Sequence, residues 1–280
     1  IHFIHTPYPH VAKMPNRHQF DPPSFRSLES ILTTPPADSP VRADAQAEFK
    51  ALRKELVALQ RVLYAQSTDS LLVVFQALDA GGKDGTIRRV FKGVNPQGVR
   101  VASFKRPTKE ELDHDFLWRI HPHTPKRGMV SIFNRSHYED VIATRVLGII
   151  DTDDCNDRYV QINQFEHTLN QHGTTILKFY LHISKDEQKR RFQDRLDNPN
   201  KHWKFSVSDL ETRKQWPLYM DAYSNTLNQC HRTRAPWYII PADDKSYRNL
   251  AIIRVIVQTL HDMAPKFPDP EPGLESIKIE

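Results

Sequence analysis

The sequence predicts an α/β protein built on a five-stranded parallel sheet with helices on both faces. Three observations carry this. Short apolar runs rich in β-formers alternate with segments of helical periodicity. The runs are too continuously apolar for strands with one wet face, so both faces are expected to be covered. The first run passes through a Gly-rich turn and a lysine into a helical pattern, which is the layout of a strand–loop–helix unit.

The elements follow in order. Residues 1–40 carry Pro7, Pro9, Pro15, Pro22, Pro23, Pro35, Pro36 and Pro40 and are expected to form an extended arm. Over residues 42–66, Phe49, Leu52, Leu56, Leu59 and Leu63 recur at three- and four-residue steps, so an amphipathic helix is predicted. Residues 71–75 read as the first strand, followed by the Gly loop and a helix through Phe91. Residues 99–104 alternate as a strand, and Pro107 and Thr108 mark the start of a helix over 109–121. A third strand is expected at 129–133, with helices at 138–147 and 158–172. Residues 174–181 read as a strand and 185–196 as a charged helix, broken by Asp197-Asn198-Pro199-Asn200. Residues 210–232 are helical, with Pro217 bending that helix or marking its true start. A last strand is predicted at 237–240 and a last helix at 250–263. This gives an arm at 1–40, a main domain at 41–265 and a tail at 266–280.

Composition narrows the function classes. The 280 residues allow one large domain, and the 39% apolar content can fill a core. The longest apolar run is far too short to cross a membrane. No export signal is visible at the N-terminus. Cys155 and Cys230 are far apart and lack metal-ligand spacing, so they are expected as reduced thiols in a cytoplasmic protein. His114, His121 and His123 lack a zinc-type companion set and read as structural. The net charge of +5 says little, but its distribution is clustered: Lys105-Arg106, Lys126-Arg127, Lys189 to Arg191, and Lys201 with Lys204. Such clusters are either solvated helix faces or a groove for a polyanion.

The Gly loop, ALDAGGKD at 77–84, is a partial match to the phosphate-binding pattern GxxxxGK[ST]. Gly82 and Lys83 fit. Ala77 replaces the first glycine, and Asp84 replaces the hydroxyl residue. In such loops backbone N–H groups face the phosphate, the helix N-terminus adds partial positive charge, and the lysine reaches the outer phosphates. Gly81, Gly82, Asp84, Gly85 and Thr86 are therefore candidate substrate contacts. Asp79 is positioned to carry a metal in place of the absent hydroxyl, since Mg²⁺ takes one or two carboxylates from a protein. Ligands in parallel sheets bind at the carboxyl ends of the strands. The turns after the first four strands begin DAGGK, KRPTKEE, NRSHYED and HISKDEQKRR; each carries Lys or Arg, and the second and fourth carry several.

Taken together, DAGGKDGTIRRV, NPQGVRVASFKRPTKEELDHDFLWRIHPHTPKRG, IFNRSHYEDV, RRFQDRLDNPNKHWKFSVSDL and APWYIIPADDK resemble the polyphosphate kinase 2 family, over residues 42–263. The resemblance implies a three-layer P-loop kinase fold with a helical lid, here at about 184–210. It also implies Mg²⁺ and phosphoryl transfer between inorganic polyphosphate and nucleotides, in a homo-oligomer. Carried over by residue, Asp79 and Lys83 match the Walker A acid and lysine, with Asp79 holding the metal. Arg135 matches the arginine of the Walker B-like segment, and Arg195 a lid arginine, with Lys201, Trp203 and Lys204 just beyond. Asn134 stands where many members have Asp, and Glu139 where one class has Asn. That combination resembles class III, whose members phosphorylate both AMP and ADP.

Lys83 is then expected to contact the transferring group, and Arg135 and Arg195 to bracket it. Lys92, Lys105 and Arg127 are further candidates for holding the phosphate chain. The expected reaction makes ATP from ADP and AMP with polyphosphate as donor. Two rivals stand beside it. One is an ATP-dependent nucleoside monophosphate kinase of the same fold. The other is a non-catalytic polyanion or nucleic-acid binder, disfavoured because the basic clusters lack interleaved aromatics and Arg/Gly repeats.

Overall fold

β1 (Ser70–Gln76), SLLVVFQ, is buried along its whole length and forms the centre of the sheet. Its alternate side chains enter two separate cores. Leu71, Val73 and Phe75 face one, and Leu72 and Val74 face the other. The computed structural model describes residues 17–22, 25 and 27–279. β2 (Val99–Ser103), β3 (Val130–Asn134), β4 (Thr174–His182) and β5 (Trp237–Pro241) complete a sheet of order β2-β3-β1-β4-β5. Every pairing is parallel, so each connection crosses over through helices.

One face is covered by α1 (Arg42–Gln66), α2 (Lys83–Val90) and α9 (Lys245–Met263). Glu48 accepts from Nε and Nη2 of Arg254, each at 2.6 Å, and His261 meets Glu55 at 2.6 Å, which fixes α1 against α9. The other face carries α4 (Glu139–Val146), α5 (Thr152–Gln171) and α8 (Trp216–Cys230). This is the expected three-layer architecture. α6 (Lys185–Leu196) and a 3-10 segment (Pro199–Lys204) lie in the segment expected to form the lid, about 184–210, and α7 (Val207–Lys214) begins within it and runs past its end. Among the described residues no helix is long and apolar enough to cross a membrane.

Several boundaries differ from the sequence reading. The helix expected at 109–121 is only α3 (Lys109–Leu112). Asp115 ends any continuation by accepting from the amides of Leu117 and Trp118, and a second short 3-10 turn follows at His121–His123. α5 begins earlier than expected because the Asp151 side chain caps it at Asp154 N. The predicted 210–232 helix is two helices, and Pro217 lies in the first turn of the second, where its missing N–H costs nothing.

The described residues between 17 and 40 are mostly irregular, as Pro-rich chain should be, but they are firmly docked. Phe20 N donates to Trp237 O and Ile239 N to His18 O, both at 2.8 Å, so the arm pairs antiparallel with β5. Phe20, Phe25 and Leu28 join the core. Of the arm predicted at 1–40, residues 1–16, 23, 24 and 26 lie outside the described residues.

Candidate active site

The strand order reverses between β1 and β3, and a crevice opens beyond their carboxyl ends at that switch point. A cavity of about 580 Å³ occupies it. The loop after β1 forms its floor. Gly81 N donates to Leu78 O at 3.0 Å to close a turn, and Ala80 (φ 61°) and Gly82 (φ 103°) adopt left-handed backbone. A Cβ on Gly81 would lie 2.5 Å from Ala77 Cβ and 2.8 Å from Leu78 O. Ala77 is thus tolerated where the pattern has glycine, because Gly81 leaves room for its methyl group. Gly82 is the N-cap of α2, and the first amides of that helix have no acceptor within it.

The loop's carbonyls are tied from behind. Lys83 Nζ donates to Ala77 O at 2.7 Å and Gln188 Nε2 to Asp79 O at 2.9 Å. Arg191 Nη1 donates to Ala80 O at 2.9 Å and Gly81 O at 3.0 Å, and Arg248 Nη1 reaches Gly81 O at 3.4 Å. With the carbonyls held in this way, the amides are left for a ligand. Burial drives the Lys83 ammonium down to about 8, and the charge of Arg135 adds to this against Asp79, Glu139 and Asp84. Burial likewise pulls Arg248 down to about 9, with Arg191 reinforcing it.

Arg135 follows β3 and continues its ladder, its amide donating to Phe75 O at 3.0 Å. It is held at φ 62°, a strained conformation for a non-glycine residue. That turn aims the guanidinium at Asp79, with Nη2 to Oδ1 at 3.0 Å. Burial opposes its charge, but the carboxylates of Glu139 and Asp79 outweigh this and move its pKa upward. Asn134 Nδ2 donates to Asp84 Oδ1 at 2.5 Å, linking the ends of β3 and the phosphate loop. Opposite, Arg195 Nη1 donates to Lys204 O at 3.0 Å and meets Asp209 at 3.4 Å.

The structure therefore gathers Asp79, Gly82, Lys83, Asp84, Gly85, Lys105, Asn134, Arg135, Arg195, Lys201 and Lys204 around one cavity. Gly81 lies within the loop, and its carbonyl faces the bracing arginines. Glu139, the first residue of α4, is outside the lining but close enough to act on the charges of Lys83 and Arg135.

Three expectations do not fit this placement. Thr86 is fully buried in α2 and does not line the cavity. Lys92 follows the far end of α2, which runs back from the loop. Arg127 precedes β3 and so lies at the amino edge of the sheet, the end away from the crevice. Conversely, Arg88, Arg191, Lys245 and Arg248 line the cavity and were missed. Arg88 stands one turn after Asp84 on α2, an i,i+4 relation that could have found it.

Among the described residues no group of three His, Cys, Asp or Glu side chains is arranged to hold a metal. The hard oxygen donors on the cavity wall nearest the loop are Asp79 and Asp84. That donor set fits Mg²⁺, which keeps most of its shell for water and substrate phosphate. It does not fit a cation needing a protein cage.

A protein-family model described as polyphosphate kinase 2 matches residues 40–268. The chain belongs to the polyphosphate kinase 2 family. It is 51% identical over 238 residues to an AMP/ADP-polyphosphate phosphotransferase of Meiothermus ruber, covering 84% of this chain and 89% of that one. It is 44% identical over 232 residues to an ADP-polyphosphate phosphotransferase of Rhodopseudomonas palustris, covering 79% and 80%. The crystal structure of polyphosphate kinase 2 from Arthrobacter aurescens TC1 superposes with a TM-score of 0.89 at 40% identity over 93% of each chain. As a member of this family, the chain carries its phosphate loop on an alanine-started variant of the pattern, with Asn134 at the end of β3.

Proposed function

We propose that this kinase transfers phosphoryl groups from inorganic polyphosphate to ADP and to AMP, forming ATP. The observation that carries this reading is the charge of the cavity beyond β1 and β3. Ten lysines and arginines line it against four aspartates, an excess suited to two polyanions held end to end. A single nucleotide calls for fewer positive groups.

In the reaction, a terminal phosphate oxygen of the acceptor nucleotide attacks the end phosphorus of polyphosphate. The P–O bond to the rest of the chain breaks, and the shortened chain leaves with the electron pair. Charge on the equatorial oxygens makes catalysis a matter of positioning and electrostatic stabilisation. Lys83 turns from the Ala77 carbonyl to the transferring group. Arg135, preset by its backbone turn, neutralises the same oxygens from the β3 side, and Arg195 does so from α6. Asp79 would hold Mg²⁺ beside them, and the bound ion would supply charge to the bridging phosphates. Lys105, Lys201 and Lys204 hold the anionic chains as point charges. Closure of the lid, about residues 184–210, would exclude water, so that polyphosphate is not hydrolysed.

Acceptance of both AMP and ADP rests on the Asn134 and Glu139 pair. Asn134, an amide rather than an acid, anchors Asp84 and leaves the neighbouring space without a further negative charge. The test is a luciferase assay with polyphosphate, Mg²⁺ and either ADP or AMP, run against an ATP-donor control. ATP formed from both acceptors supports the reading. No ATP with polyphosphate, alongside ADP formed from ATP plus AMP, would replace it with the ATP-dependent monophosphate kinase.

A further inference from the structure

The docked arm reaches the active site by a route that touches no cavity-lining side chain until its last step. Thr33 grips Asp243, the residue two beyond β5, in two ways. Its hydroxyl donates to Asp243 Oδ2 at 2.8 Å, and its carbonyl accepts from Asp243 N at 3.0 Å. The other carboxylate oxygen, Oδ1, accepts from Ser184 N at 2.8 Å. Ser184 is the N-cap of α6, with its own hydroxyl on Glu187 N at 3.0 Å. Asp243 thus fixes where α6 starts, and α6 carries Arg195 in its last turn.

The same residue seats a second group. Arg191 Nη2 donates to the carbonyls of Ala242 and Asp243, while its Nη1 holds Ala80 and Gly81 of the phosphate loop. Neither Thr33 nor Asp243 lines the cavity.

We propose that Asp243 is a positioning residue through which the N-terminal arm sets both the start of α6 and the seat of Arg191 behind the phosphate loop. The arm is then part of the catalytic apparatus although none of its described residues meets substrate. The kinetic half of this inference rests on the proposed phosphotransferase function; the structural half does not.

The experiment uses the full chain with Thr33→Val, which removes only the hydroxyl, Thr33→Ser, which restores it, and Asp243→Ala. Two quantities are read: kcat and KM for polyphosphate-driven ATP formation, and amide hydrogen exchange over residues 79–82 and 184–188. Thr33→Val is expected to lower kcat by about threefold to tenfold with both KM values within twofold, since small misplacements cost rate before binding. Thr33→Ser should return to within twofold of the parent, and Asp243→Ala should fall further than Thr33→Val. Both damaging variants should exchange faster in both segments.

Parental kcat in Thr33→Val and Asp243→Ala would overturn the proposal, even if the melting temperature drops. So would a fall in kcat with unchanged exchange in both segments. If the parent itself makes no ATP from polyphosphate, the functional reading fails. Exchange alone then decides the coupling: faster in the variants supports it, unchanged overturns it.

Discussion

The two sides of the cavity use their cations in opposite ways. On the loop side, Lys83, Arg191 and Arg248 are buried and directed at backbone carbonyls. On the opposite side, Lys201 and Trp203 stand in solvent, Trp203 at 79% exposure, and Lys204 is half-buried. That side is held by local ties: Asn198 caps its own turn, Trp203 Nε1 donates to Asn200 O, and the Lys204 ammonium sits over the Trp203 ring. Arg191 and Arg248, bonded to the loop, act by fixing its geometry, and Lys83 is held in place there before it turns to the transferring group. An exposed cation acts only through its charge, which water and salt screen. Changes on the first side should therefore cost catalysis and stability, and changes on the second should cost mainly binding.

The largest expected effect is that of Lys83→Ala, a fall in kcat of about 10³-fold, the scale of losing a preorganised donor. A mutant within threefold of the parent would remove Lys83 from its role. Arg195→Ala comes next. It frees the Lys204 carbonyl and Asp209 as well as a cation, and kcat should fall on the order of 10²-fold. If only KM changes, Arg195 belongs to the binding side and the comparison must be redrawn.

Gly82→Ala tests rigidity directly. Gly82 has φ 103°, and an added Cβ would be built into the Arg248 guanidinium. Strain of about 1–3 kcal/mol should appear as a lowered melting temperature in calorimetry, with slower turnover. An unchanged melting curve would show that the loop gives way.

Titration sharpens the contrast further. The Lys83 charge is lost as pH rises through about 8 in the free enzyme, because burial has lowered its pKa from the ordinary lysine value. Lys83 must be protonated to stabilise phosphoryl oxygens, so kcat/KM should be highest below pH 8 and fall above it. Lys83→Arg should abolish that fall whatever its absolute rate. The smallest effect is expected from Lys201→Ala. The KM for polyphosphate should rise at most about fivefold, the scale of an exposed ion pair, and the rise should shrink at high salt. A loss of melting temperature there would contradict the assignment.

The sequence disclosed what depends on neighbours in the chain. α1 ends where its apolar period ends, and α6 runs from its Ser184 cap to the Asn-Pro break. The loop, its lysine and the Arg135 and Arg195 positions were legible because strand ends in a parallel sheet share one edge. What remained hidden depends on the third dimension. Arg127 belongs to a basic pair like the others, but its strand begins after it, so it faces the wrong edge. The turn after β5, PADDKSYR, brings Lys245 and Arg248 to the cavity, and reading only the first four strand ends left them out. Arg191 was visible as charge, but nothing local said that its guanidinium would turn inward to the carbonyls of Ala80 and Gly81.

The bracing of the phosphate loop also has a bearing on how the protein is made. Asp79 O is held by a side chain 109 positions downstream, and Gly81 O by one 167 positions downstream. During synthesis the loop leaves the ribosome long before either brace exists. A nascent chain ending before α9 carries the phosphate-loop sequence without the finished cradle. It therefore gains its full grip on the abundant anions of its surroundings only after α9 has been made.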